Sequence, residues 1–143
     1  MYKLKKISLF ILIVGYLVAG ANHFYNPGSY YKIIPPYIPF PKVMNVLAGF
    51  FEILFALMLI FAKTRALAAW GIILMLIAFV PVHVQMVIDA PFLLGGTIKI
   101  SPMVAWIRLV VLQPLLILWA WWYTKSEGEL MPFKTMGSSN NNV

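Results

Sequence analysis

The sequence predicts an all-α integral membrane protein, a four-helix bundle with both termini in the cytoplasm. Three observations predict it. Four apolar runs, 7–24, 43–62, 66–88 and 103–123, are each about the length that a helix needs to cross the roughly 30 Å hydrocarbon core of a bilayer. The composition is 62% hydrophobic and 10% charged, where a soluble domain carries about 25% charged residues. The basic residues also sort by side. With the N-terminus inside, Lys3, Lys5, Lys6, Lys63, Arg65, Lys125 and Lys134 fall inside and Lys32, Lys42 and Lys99 outside, seven against three.

The first run follows a basic leader and ends in Ala19-Gly20-Ala21. That pattern also fits a signal peptide. A retained span is the preferred reading, because Gly15, Ala19, Asn22 and His23 share one helical face suited to close packing on another membrane helix. The loop 25–42 has five prolines, which forbid a continuous helix, and aromatics suited to the headgroup level. It reads as a compact surface segment with about one helical turn. The second run carries one charge, Glu52, on a small and polar face with Asn45, Ala48, Gly49 and Ala56. A carboxylate at that depth belongs inside the bundle and needs a partner.

Lys63-Thr64-Arg65 is short enough to make an antiparallel hairpin of spans two and three. Pro81 predicts a kink in span three. His83 and Gln85 follow it about 200° apart on an ideal helix, and so face different ways unless the kink rotates one of them. Residues 89–102 read as a loop. Span four holds Arg108, Gln113 and Pro114 and ends in the belt Trp119, Trp121, Trp122, Tyr123. Residues 125–143 read as a polar, disordered tail.

Glu52 lies nine residues into span two and Arg108 five residues into span four, which places them about 14 Å and about 8 Å from the same edge. A Glu52–Arg108 pair accounts for both intramembrane charges. It either pins two helices or serves a site. Asn22, His23, His83 and Gln85 lie near the outer helix ends and Gln113 deeper. This outward bias predicts a polar cavity in the outer half, floored by an apolar inner half, with room for one lipophilic ligand.

Several classes are disfavoured. The positive charge forms no basic stripe, so nucleic acid is not a partner. There is no cysteine, which removes disulfides and thiolate sites. Metal binding by His23, His83 and Glu52 is weak, and a two-histidine haem is possible but disfavoured for want of an attachment motif. The residues leave the cofactor unknown.

His23-Phe24 with Pro27 and Tyr30, then Ile34-Pro35, Gly49, Glu52-Ile53, Pro81, and Arg108 with Gln113-Pro114 occur in an order that resembles the DoxX family of small bacterial membrane proteins, over residues 7–123. The chain departs from that family at His83, where relatives usually carry asparagine. The resemblance implies a four-helix protein of the bacterial inner membrane. It also implies an association with quinone-linked oxidoreductase assemblies.

The expected function is therefore a redox-associated membrane subunit that binds a quinone or another flat lipophilic molecule in the outer half of the bundle. Glu52 accepts or relays a proton and Arg108 sets its charge state. His23, Asn22, His83, Gln85 and Gln113 contact the ligand. Partners would be the lipid bilayer and an oxidoreductase subunit, and whether the chain is itself an enzyme stays open. The alternatives are a non-catalytic assembly or anchoring partner and a small transporter of lipophilic solutes.

Overall fold

A computed structural model describes residues 2–125. The chain runs α1 (Tyr2–Tyr25), α2 (Pro27–Tyr31), α3 (Pro41–Ile60), α4 (Ala62–Ala78), α5 (Val80–Asp89), β1 (Phe92–Leu94), β2 (Ile98–Ile100), α6 (Pro102–Trp106), a π-helical segment (Ile107–Leu112) and α7 (Gln113–Trp121). It is mostly helical. Four segments are long and apolar enough to cross a membrane: Lys3–Tyr25, Pro41–Ile60, Ala62–Asp89 and Pro102–Trp121. Their outward faces are apolar, with Phe10, Val18, Phe50, Leu74, Val110 and Leu118 all exposed. The expected tail lies outside the described residues beyond residue 125.

Glycine sets how α1 and α3 cross. A Cβ on Gly20 would sit 2.9 Å from the Gly49 carbonyl oxygen, and a Cβ on Gly49 would sit 2.9 Å from the Gly20 carbonyl oxygen. The two backbones therefore touch at these glycines, which places the next turn of α1, with His23, directly over Glu52 of α3. The buried face of α3 is Asn45, Gly49, Glu52, Ala56 and Leu59.

The turn from α3 to α4 needs only one extended residue, Phe61 (φ −90°, ψ 127°). Helix ends leave carbonyls without amide partners. Here Thr64 Oγ1 donates to the Met58 carbonyl at 2.6 Å and Arg65 Nε to the Leu59 carbonyl at 3.0 Å, so the short connection also caps α3. The third segment breaks at Phe79, between α4 and α5. Pro81 lacks the amide that a continuous helix would use there.

The helical expectation holds for most of the chain, and the expectation of a plain loop over 89–102 is corrected. Residues 92–100 form a two-stranded antiparallel hairpin within the expected loop, pairing Phe92 with Ile100 and Leu94 with Ile98. Gly95 (φ 63°) and Gly96 (φ 81°) supply the left-handed turn. Met86, Ile100 and Ala105 form a small core beneath it. The main core lies nearer the Lys5 end, where Leu12, Tyr16, Ala56, Leu59, Ala68, Ala69 and Ile72 are buried together.

The fourth segment starts with Ser101 capping the Val104 amide and Pro102 in the first turn. It then widens. The Gln113 amide bonds the Arg108 carbonyl five residues back, just before Pro114, which has no amide of its own. In a regular α-helix, residues five apart stand about 140° apart. The wider turn lets Arg108 Nη1 donate to Gln113 Oε1 at 2.8 Å. Insertions of this kind often mark functional sites.

Candidate functional site

Two connected groups of polar side chains meet at Glu52. The first lies toward α2. Pro27 stands four residues after His23 and has no amide, so the His23 carbonyl lacks its helical donor. Asn45 Nδ2 supplies one at 2.9 Å. The same amide's Oδ1 accepts from His23 Nδ1 at 2.7 Å. The far ring nitrogen, Nε2, lies 3.4 Å from Glu52 Oε2. Tyr30 of α2 stacks on the imidazole, ring centroids 3.7 Å apart, and its hydroxyl accepts from Asn22 Nδ2 at 2.7 Å. Burial pushes the Tyr30 phenol up from its usual range, and the Asn22 bond opposes that shift.

The second group surrounds a cavity of about 270 Å³ between α1 and the fourth segment. Its polar lining is Tyr16, Glu52 and Arg108, and its apolar lining includes Leu12, Leu76, Phe79, Leu116 and Trp119. Gly15 and exposed Ile11 stand at its outer side, and a Cβ on Gly15 would meet nothing within 4 Å. Trp119 Nε1 donates to Ser8 Oγ at 2.8 Å and Tyr123 Oη to the Lys5 carbonyl at 3.1 Å. These bonds join α1 to α7 at the Lys5 end and leave the sides of the cavity apart above them. On two of the polar lining residues an oxygen, Tyr16 Oη and Glu52 Oε2, is buried without a hydrogen-bond partner. Buried polar atoms without partners are rare enough to require a reason.

The expected site residues therefore separate. Glu52 and Arg108 both line the cavity, but the side chain that Glu52 meets directly is His23, and Arg108 reaches Gln113 instead. The shorter reach explains it: His23 is delivered by the glycine crossing, whereas the wide turn spends the guanidinium on its own segment. Gln113 Nε2 donates to the Leu76 carbonyl, tying the fourth segment to α4. His83 Nδ1 donates to the Phe79 carbonyl at 2.8 Å, one turn back across the kink. Gln85 points elsewhere and bonds Asp89 at 2.9 Å. Asn22 is exposed and belongs to the Tyr30 contact. The cavity extends from Glu52 toward the Lys5 end rather than opening at the histidine end. Among the described residues, no three His, Asp or Glu side chains converge.

Tyr16, Asn45, Gly15 and Trp119 were not read as site residues. Trp119 stands in the aromatic belt expected at the interface. A signal existed for Tyr16: it stands seven residues, two helical turns, before His23 and so on the same face.

The chain matches, over residues 12–124, the family described as Domain of unknown function (DUF8561). It belongs to that family. This corrects the DoxX resemblance: the matching family is a different and uncharacterised one, and the short motifs quoted for DoxX are sparse enough to arise in another small membrane family. The expectations that came with that resemblance alone, including the bacterial inner membrane, go with it. No curated protein and no solved structure matches the chain.

Proposed function

We propose that this protein holds one lipophilic molecule with a flat, hydrogen-bonding head, of the quinone class, in the cavity between its first and fourth spans. The observation that carries the reading is the lining of an otherwise apolar cavity by three polar residues, Tyr16, Glu52 and Arg108, with a buried oxygen that lacks a hydrogen-bond partner on both Tyr16 and Glu52. A carbonyl or phenol head would accept from Tyr16 and exchange a hydrogen bond with Glu52. An apolar cavity of about 150 Å³ takes a benzene ring, so 270 Å³ suits a ring with several substituents. A tail longer than this would leave past Gly15, where nothing blocks it.

The chain's own contribution is binding, orientation and a proton at Glu52. Electrons for a redox-active occupant would come from a partner subunit that carries a redox cofactor. The distribution of lysine and arginine supports both termini on the cytoplasmic side, which would turn the His23 end outward.

The test is native purification in nanodiscs with mass spectrometry of bound small molecules, on the natural chain and on Gly15→Phe. The phenyl group enters the cavity mouth from open space, so the fold is expected to survive. A quinone at near one per chain that is lost from Gly15→Phe supports the reading. An apoprotein, or a molecule that Gly15→Phe retains, overturns it.

A further inference from the structure

Asn45 can be oriented in only one way. It touches His23 twice, and one of those contacts is to a backbone carbonyl, which only accepts. The NH₂ group must therefore face the carbonyl, and Oδ1 must face the ring. Oδ1 also only accepts, so His23 Nδ1 carries its hydrogen.

This fixes what faces Glu52. A neutral His23 has its hydrogen on Nδ1 and presents the lone pair of Nε2 to Glu52 Oε2, 3.4 Å away. An ionised carboxylate presents lone pairs as well. Neutral imidazole and ionised carboxylate together would leave two acceptors face to face, buried, with no donor between them. One proton resolves this from either side. It sits on Nε2, giving an imidazolium–carboxylate pair, or on Oε2, giving a carboxylic acid that donates to a neutral ring.

From this geometry we infer that His23 and Glu52 hold a single proton in common, that Asn45 is the positioning residue that keeps it between them, and that this is the proton offered to the occupant of the cavity. The last step rests on the function proposed above. Glu52 is the one member of the pair that lines the cavity, and His23 leads away from it, under Tyr30, toward the end of the bundle where α2 lies. An occupant that takes a hydrogen bond from Glu52 draws the proton to the carboxyl. An occupant that donates one, or carries positive charge, returns it to His23.

The charged and titratable groups around the pair come from three directions. Tyr16 of α1 and Arg108 of the π-helical segment share the cavity wall with Glu52, and Tyr30 of α2 covers His23.

The test uses the full chain in nanodiscs with ¹⁵N-labelled histidine, read by nuclear magnetic resonance across pH. His23 is expected to keep Nδ1 protonated throughout, with the second proton, on Nε2 or Glu52, gained or lost once for the pair. Asn45→Leu removes the positioning contact, and a mixture of both neutral tautomers is expected. Glu52→Gln can donate its own amide to Nε2, so a neutral, Nδ1-protonated ring over a wider pH range is expected there. A neutral His23 protonated on Nε2 in the natural chain overturns the inference. So does an unchanged histidine titration in Glu52→Gln.

A second readout separates this from the cavity. A short-tailed benzoquinone serves as the probe, and its binding is measured calorimetrically in two buffers of different ionisation heat. Proton exchange on binding that vanishes in Glu52→Gln supports the last step, and binding without any proton exchange overturns it. If the probe does not bind at all, the cavity reading falls, while the spectra still decide whether the proton is shared.

Discussion

At the scale of single residues, two hydroxyl-bearing tyrosines make opposite predictions. Tyr16 Oη is buried without a hydrogen-bond partner. An unsatisfied buried polar group costs about 1–3 kcal/mol, so Tyr16→Phe is expected to raise the thermal stability of the empty protein while weakening retention of the bound molecule. Thermal scans with and without ligand check both halves, and a variant that loses stability as well would assign Tyr16 to packing. Tyr30 has a partner, and its phenol is pushed up by burial against His23. A folded value above the unfolded one means that its contribution is fully present below the ordinary phenol range, about 10, and is lost as pH rises through the raised value. Tyr30→Phe should flatten the alkaline limb of stability against pH. Glu52, His23 and Arg108 could be singled out from the sequence because charge and imidazole are conspicuous among apolar residues. The pairing among them could not. It depends on an interhelical glycine contact and on a widened turn, neither of which has a period to read.

At the scale of elements, the same residue type carries two different meanings. Gly20 and Gly49 admit no side chain, since even a Cβ meets backbone oxygen at 2.9 Å, whereas Gly15 meets nothing. Gly49→Ala is expected to cost about 1–3 kcal/mol by forcing α1 and α3 apart, and to loosen the His23–Glu52 contact with it. Gly15→Ala is expected to be neutral or to stabilise by up to about 1 kcal/mol, through helix propensity alone. Unfolding of the three chains in one detergent checks the contrast, and equal effects at positions 15 and 49 would refute it. The stripe expected on α1 was Gly15, Ala19, Asn22 and His23, whereas the backbone contact with α3 is made at Gly20, about 140° round the helix from Gly15. The hairpin at 92–100 was also missed. Its signal is only Gly95-Gly96 with Ile98-Lys99-Ile100, and strands of three residues fall below what alternation can establish.

At the scale of the whole molecule, the side of the membrane from which the shared proton comes depends on orientation alone. The orientation proposed from the distribution of lysine and arginine would put Tyr25 outside and Lys63 inside. Tyr25 is 92% exposed at the His23 end and Lys63 sits in the first turn of α4 at the opposite end. Because the chain has no cysteine, single cysteines at these positions report without background. A membrane-impermeant maleimide added to intact cells is expected to label Tyr25→Cys and to spare Lys63→Cys until the cells are broken. The reverse pattern would invert the bundle. His23 would then exchange its proton with the cytoplasm, and the cavity, which extends from Glu52 toward the Lys5 end, would lie nearer the outer face. The cavity, the crossing and the tautomer of His23 are properties of the fold and survive either outcome. The direction of any proton movement does not, so this labelling decides whether a reaction in the cavity could take protons from outside.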